Sequence, residues 1–216
     1  TEGGYFMDEA TGGFNVNHPD IQFDIENTQT PQTVFGVLIA AIKKRREKGV
    51  NPFTIMSCDN LPENGVVARQ SVLGMAKLMS RELADWIASN IAFPNSMVDC
   101  ITPATSERER AMVAAHFGVA DAVPVACEPF RQWVLEDNFP GGRPALEKVG
   151  VEFVKDVAPY EFMKLRILNG GHAAIAYPAA LLGIHFVHDA MADPCITGFL
   201  SKLENNKKVV HFSRLA

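Results

Sequence analysis

Apolar residues recur at three- and four-residue steps through several stretches of the chain, and short apolar runs bounded by turn residues stand between them. Val34, Leu38, Ile39 and Ile42 form one such helical stripe. With Thr30 as a cap, Pro31 in the first turn and Gly49 as a stop, the pattern predicts a helix from Pro31 to about Lys48. Pro52-Phe-Thr-Ile-Met-Ser57 has the length and composition of a buried strand, and the turn-rich Asp59-Asn-Leu-Pro-Glu-Asn-Gly65 follows it. Val72, Met75, Met79, Leu83 and Trp86 then predict one long helix from about Val66 to Ser89.

Further along, Ile91 to Ile101 reads as extended, with a turn at Pro94-Asn95, and Ser106 to His116 reads as a helix ended by Gly118. Ala122-Val-Pro-Val-Ala126, Trp133-Val-Leu135 and Val151-Glu-Phe-Val154 have strand character. Alternating helices and strands at this spacing predict an α/β domain with an open sheet. From Pro159 the strand signals stop. A helix is predicted from about Pro159 to Leu182, broken or kinked near Gly170-Gly171 and Pro178, with a second around His188 to Leu200. This change places a domain boundary near residue 157, and no internal repeat is visible.

Composition narrows the class. A chain of 216 residues can bury roughly 70% of its unfolded surface. Its 47% hydrophobic and 21% charged residues are those of a soluble domain. A net charge of −5 argues against a nucleic-acid partner, which requires a surplus of cations. The dense basic run Lys43-Lys44-Arg45-Arg46 closes a predicted helix, where cations complement the helix dipole. Cys58, Cys100, Cys127 and Cys195 lack C-x-x-C spacing, which implies a reduced, cytoplasmic protein. The most apolar run, Ala173 to Val187, contains Pro178 and falls short of the ~20 residues of a spanning helix, so no membrane partner is expected. Thr1-Glu-Gly-Gly-Tyr5 reads like the exit of a strand begun earlier, and the tail from Lys207 has no helical period. On that reading the chain is a fragment.

The candidate chemistry concentrates in Glu161-Phe-Met-Lys-Leu-Arg-Ile-Leu-Asn-Gly-Gly-His172. On an ideal helix Lys164 and His172 lie about 80° apart, and Asn169 about 140° from Lys164. They share a broad side, and a Gly-Gly break after Asn169 would let the backbone approach a ligand. A partly desolvated lysine can serve as a general base for an alcohol, a carboxamide can donate to an alkoxide or carbonyl oxygen, and an imidazole can hold a hydroxyl. In the plainer reading, Lys164 reaches out to solvent and Asn169 ends a helix.

Asp59 and Asn60 fall at the carboxyl end of a predicted strand, where open α/β sheets bind ligands, although both residue types also simply make turns. Asp99 is a carboxylate in an apolar extended stretch, and Glu2 precedes Gly3-Gly4. Gly12-Gly13 lacks dinucleotide-motif spacing and reads as a turn. His185-x-x-His188-Asp189 lacks a convincing third ligand, so no metal site is expected. There is no G-x-S-x-G and no Walker sequence.

Taken in order, five segments resemble the mannitol dehydrogenase family of polyol-specific long-chain dehydrogenases and reductases, which includes the fructuronate and tagaturonate reductases. They are Thr1-Glu-Gly-Gly-Tyr5; Ser57-Cys-Asp-Asn-Leu-Pro-x-Asn-Gly65; Phe93-Pro-Asn-Ser-Met-Val-Asp99; Glu128-Pro-Phe130 with Gln132-Trp-Val-Leu-Glu-Asp137; and Lys164-x4-Asn169-x2-His172.

The resemblance implies the C-terminal part of a Rossmann-like nucleotide-binding domain over residues 1–157, followed by the first helices of a mainly α-helical substrate domain over 158–200. It implies metal-independent hydride transfer between a secondary alcohol of a polyol, or a hexuronate pair, and NAD or NADP. Lys164 matches the family's general acid/base, and Asn60 and Asn169 match its oxyanion-stabilising carboxamides. His172 matches a substrate-hydroxyl ligand, Glu2 the carboxylate linking the lysine to solvent, and Asp99 a polar residue of the substrate region. It also implies a site in the cleft between the two domains.

The family's Gly-rich dinucleotide motif would lie upstream of Glu2, so the residues that hold the cofactor are not specified. Residues 201–216 read as a divergent tail. The competing expectation is a catalytically inactive module that acts structurally or with another chain.

Overall fold

The computed structural model describes residues 2–8 and 10–205. Its contacts separate one unit ending at Val157 from another beginning at Ala158. Glu2–Tyr5, expected to leave a strand, form a 3-10 turn. Helix α1 (Pro19–Glu26) starts at His18, whose Nδ1 accepts from the Asp20 amide. Helix α2 (Val34–Glu47) begins three residues later than predicted, with Thr33 rather than Thr30 as its cap. A long-range contact makes that choice. Asp24, 1% exposed, accepts from the amides of Gln32 and Thr33 and from the Thr33 hydroxyl, which pins the turn. Thr33 Oγ1 in turn accepts from Gly36 N at 3.0 Å. The buried stripe is Phe35, Ile39 and Ile42, while Val34 is 69% exposed.

The predicted long helix is two helices, α3 (Asn64–Met79) and α4 (Arg81–Asn90). Ser80, with φ −165°, is extended, so its N–H closes α3 on Ala76 while its hydroxyl accepts from Leu83 N to start α4. A hydroxyl that can cap outcompetes one more turn of helix. Helices α2, α3 and α4 bury Ile39, Ile42, Val72, Met75 and Ile87 completely or nearly so. Each such side chain contributes about 1.5–3 kcal/mol of transfer free energy.

The sheet has three strands, β1 (Ser96–Asp99), β2 (Gln132–Glu136) and β3 (Glu152–Val154), in that order. β1 and β2 are antiparallel with Ser96 opposite Leu135, and β2 and β3 are parallel with Val134 opposite Glu152. Between β1 and β2 lies α5 (Glu107–Phe117), as predicted, with a Ser106–Glu109 capping box and Gly118 at φ 64° as its stop.

Two predicted strands do not form ladders among the described residues. The 52–57 segment makes one backbone bond, Ile55 N to Ala92 O at 3.0 Å. The 122–126 segment contains Pro124, which cannot donate, and it exposes Val123 and Val125.

The second unit is helical: α6 (Ala158–Met163), a π-helical turn over Lys164–Asn169, α7 (Gly170–Leu181), α8 (Val187–Ala192) and α9 (Pro194–Glu204). The helix expected to break or kink near Gly170-Gly171 is continuous there, since Gly170 has α-helical dihedrals, and its irregularity is the π turn that ends at Asn169. Gly171 instead lies close to α9, where an added Cβ would meet Leu200 Cδ1 at 3.5 Å. Pro178 sits inside α7 without ending it. The predicted second helix divides at Asp193, whose carboxylate caps α9 by accepting from Cys195 N and Ile196 N. Ile175, Ala179, Ala190 and Ile196 form the small core of this unit. Among the described residues no helix is long and apolar enough to cross a membrane.

Candidate active site

In the first unit the loop before α3 is held by buried polar side chains to which the sequence pattern assigns no role. Tyr5 is 7% exposed. Its hydroxyl donates to Asp59 Oδ2 at 2.6 Å and, its one proton spent, accepts from Ser57 Oγ at 2.6 Å. Burial first, and the Asp59 carboxylate second, push the Tyr5 phenol up to about 12. Asn64, fully buried in the first turn of α3, donates through Nδ2 to Asp59 O (3.0 Å), Ser96 O (2.8 Å) and Ser96 Oγ (3.1 Å). Its Oδ1 accepts from Ser96 N at 2.9 Å, and Ser96 Oγ donates to Ser57 O at 2.7 Å. Residues 57, 59, 64 and 96 are thereby one network.

Helix α3 is capped from outside its own sequence. Glu63, the residue before it, is left-handed at φ 51° and gives no side-chain cap. That conformation costs a non-glycine residue about 1–2 kcal/mol. Asn95 supplies the cap, its Oδ1 accepting from Gly65 N at 2.9 Å and Val66 N at 3.2 Å. Glu136 on β2 fixes Asn95 in turn by accepting from its backbone N–H and its side-chain amide. Gly65 permits the approach, since a Cβ there would lie 2.5 Å from Pro94 O and 2.6 Å from Phe93 O. Asn60 lies in this braced loop and is exposed. Asp99 ends β1, three residues past Ser96, and is half-buried.

A cavity of about 600 Å³ opens beside the loop, with Tyr5, Phe35, Phe53, Ser57 and Asp59 in its wall. Among the described residues its wall carries the Asp59 carboxylate and no Lys or Arg. Such a wall suits a neutral ring or a sugar hydroxyl. The described part of the wall offers no cation to the diphosphate of a dinucleotide.

In the second unit Lys164, Asn169 and His172 lie on one continuous helical run. The six-residue π turn begins at Lys164 and ends at Asn169, and the following N–H, of Gly170, reaches back five residues to Leu165 O. With i to i+5 bonding, residues five apart stack on successive turns, so Lys164 and Asn169 come onto a common face that α-helical spacing denies them. Both are half-buried, and His172, one turn into α7 proper, is exposed. Arg166 lies over the Phe162 ring at 4.7 Å, and its Nη1 is buried with no hydrogen-bond partner.

The Glu2 side chain lies outside the described residues. No three His, Cys, Asp or Glu side chains converge on a metal position among those described. All four cysteines are free and exposed.

The first 148 residues match the family model "Mannitol dehydrogenase Rossmann domain", and residues 156–215 match "Mannitol dehydrogenase C-terminal domain". The second match takes in most of the stretch beyond Leu200. A mannitol 2-dehydrogenase of Cereibacter sphaeroides is 58% identical over 98% of this chain and 44% of its own length. One from Aspergillus fumigatus is 48% identical over 93% of this chain and 41% of its own length.

Among solved structures, substrate-free D-sorbitol dehydrogenase superposes with a TM-score of 0.89 at 45% identity, covering 94% of this chain and 42% of that one. The Pseudomonas fluorescens mannitol 2-dehydrogenase ternary complex with NAD and D-mannitol gives 0.82 at 49% identity, over 95% and 42%. The chain thus spans about two fifths of the length of these relatives. The first unit is of the Rossmann type and the second begins a helical domain. The chain belongs to the mannitol dehydrogenase family.

Proposed function

We propose that this chain carries the proton-transfer and oxyanion-stabilising residues of a polyol dehydrogenase of the mannitol 2-dehydrogenase type. The observation that carries the reading is the π turn beginning at Lys164 and ending at Asn169. It turns a base and an amide donor to one side of a helix, in a chain 58% identical to a mannitol 2-dehydrogenase. Lys164 Nζ, in its neutral form, takes the proton of a secondary carbinol. The carboxamides of Asn60 and Asn169 donate to the oxygen as negative charge builds on it, and His172 holds a neighbouring hydroxyl. Glu2 passes the proton from the lysine to solvent, and Asp99 contributes to the polar wall of the substrate region.

NAD(P), when bound, supplies the hydride acceptor, and the alcohol becomes a ketone. Among the described residues the wall beside Asp59 carries no cation for the cofactor's diphosphate, and Lys164, Asn60 and Asn169 act on the proton and the oxygen. The Pseudomonas fluorescens relative, solved with NAD and D-mannitol, favours NAD over NADP. That complex and the two mannitol 2-dehydrogenases of Cereibacter and Aspergillus favour mannitol over a hexuronate. Four exposed free thiols support a cytoplasmic setting.

Enzyme expressed from the complete reading frame is expected to oxidise mannitol with NAD+. Lys164→Ala is expected to lower kcat by about 10³-fold or more, within the range for a general acid/base. Near-normal turnover in that variant would remove Lys164 from its role. The share of its relatives' length that the chain spans supports a second reading, in which the 216-residue chain alone is catalytically inactive and acts structurally or in association with another chain. Steady NADH production by the isolated chain would sink that reading.

A further inference from the structure

Nothing in the proposed chemistry uses Asn64, a polar side chain buried to 0% exposure and bonded to both Asp59 and Ser96. We propose that Asn64 is a positioning residue for the Asn60 carboxamide, acting by holding the Asp59 carbonyl and the start of β1 in one bracket. This rests on the reading of Asn60 as an oxyanion donor. The Asp59 carbonyl belongs to the peptide that leads directly into Asn60, so the Asn64 Nδ2 bond of 3.0 Å fixes the backbone that carries the carboxamide.

The same residue is clamped on its other side, its carboxylate by Tyr5 and its amide by Ser57 Oγ at 3.3 Å. Downstream the chain is forced through the left-handed Glu63. A loop with a strained residue on one flank keeps one geometry only if its surroundings over-determine it. Asn64 is the member of the bracket that joins loop, helix and strand at once. A donor to an oxyanion must sit within a few tenths of an ångström of its place before the reaction, which is the service such a bracket performs.

The test is a double-substitution cycle in enzyme expressed from the complete reading frame, with kcat and KM measured for mannitol and NAD+. Asn60→Ala is expected to lower kcat about 100-fold, the usual loss for one oxyanion donor. Asn64→Ala is expected to lower kcat about tenfold or more, with KM for NAD+ changed less than about twofold. In the Asn60→Ala background it should alter kcat by less than about twofold, because no carboxamide remains to be misplaced. Ser96→Ala removes only the hydroxyl of the bracket. It is expected to give a smaller loss that also vanishes in the Asn60→Ala background, and it decides the matter should Asn64→Ala fail to fold.

An Asn64 that serves architecture alone would lower the melting temperature and leave kcat of the folded enzyme untouched. Alternatively it would lower kcat by the same factor in both backgrounds. Either result overturns the proposal. Wild-type kcat in Asn60→Ala alone would instead overturn the reading of Asn60 on which it stands, and that outcome is visible before Asn64 is changed.

Discussion

Asn60 and Asn169, the two carboxamides proposed as oxyanion donors, are each held within their own unit, and by opposite means. Asn60 lies in a loop held by side chains drawn from four places in the sequence: Tyr5, Ser57, Asn64 and Ser96. Asn169 ends a π turn, and its placement comes from one extra residue in the backbone rather than from a brace of side chains. The first device is expensive to disturb because each buried donor or acceptor left unpaired costs about 1–3 kcal/mol. The second is local, and the small core of its unit surrounds it only loosely, with Ile167 at 55% and Leu168 at 41% exposure. Rigid side-chain bracketing and backbone irregularity therefore hold two asparagines with different sensitivities to mutation.

The sharpest way to break the comparison is to insert one alanine after Ile167, which adds a residue beyond the one the π turn absorbs and rotates Lys164 about 100° relative to Asn169. We expect kcat to fall at least about 100-fold, as for a catalytic group moved by an ångström or more. The helix content seen by circular dichroism should stay the same. Retained turnover with intact helicity would show that the chemistry does not need these two groups on one face.

Next in size is Gly65→Ala, whose Cβ would press on two backbone oxygens of residues 93 and 94. It should destabilise by about 1–3 kcal/mol in urea unfolding, the usual cost of overpacking. Gly170→Ala, in the other region, is its opposite. A Cβ there meets only Leu165 O, at 3.5 Å, and the backbone is α-helical. It should raise stability by about 0.5–1 kcal/mol. If both glycines respond alike, the contrast between the two regions fails.

Tyr5→Phe should cost about 1 kcal/mol near neutral pH through the lost hydrogen bonds, with a dependence on alkalinity that identifies the phenol. Its pKa in the folded protein, about 12, lies above its ordinary value of 10.0. The folded state therefore holds the proton more tightly than the unfolded chain. This contribution is complete below pH 10 and is lost as pH rises toward 12. Urea midpoints at pH 8 and pH 11 should show the wild-type advantage over Tyr5→Phe shrinking at the higher value. A constant gap would mean that Tyr5 does not titrate in this way.

What could be seen in the sequence was what depends on neighbours along the chain. Ser106, Glu109 and Gly118 announce α5 because a capping box and a left-handed glycine are complete within thirteen positions. Thr30 is a reasonable cap for α2 on the same local logic. It loses to Thr33 because Asp24, nine positions upstream of Thr33, holds that residue by its amide and its hydroxyl. The break at Ser80 is readable in principle, since the same hydroxyl that fits within a helix can cap one.

Lys164, Asn169, His172 and Asn60 could be singled out as residue types in a suggestive order. The way the first two are turned together could not, because a 3.6-residue period assumes the regularity that the π turn breaks. The Tyr5–Asp59 pair, 54 positions apart, leaves no local trace at all.

One consequence concerns the order in which this sequence can change. The Asp24 carboxylate fills the space that any side chain at position 36 would need, and it is also the acceptor that sets the turn before α2. Gly36 cannot acquire a methyl group while Asp24 and Pro31 stand, since Pro31 Cβ would lie 2.7 Å from it, and Asp24 cannot be lost without stranding the amides of Gln32 and Thr33. Positions 24, 31 and 36 are an epistatic set. A variant library that samples each separately would score Asp24 and Gly36 as immutable, and only one that varies them together, with the turn, would find the alternatives.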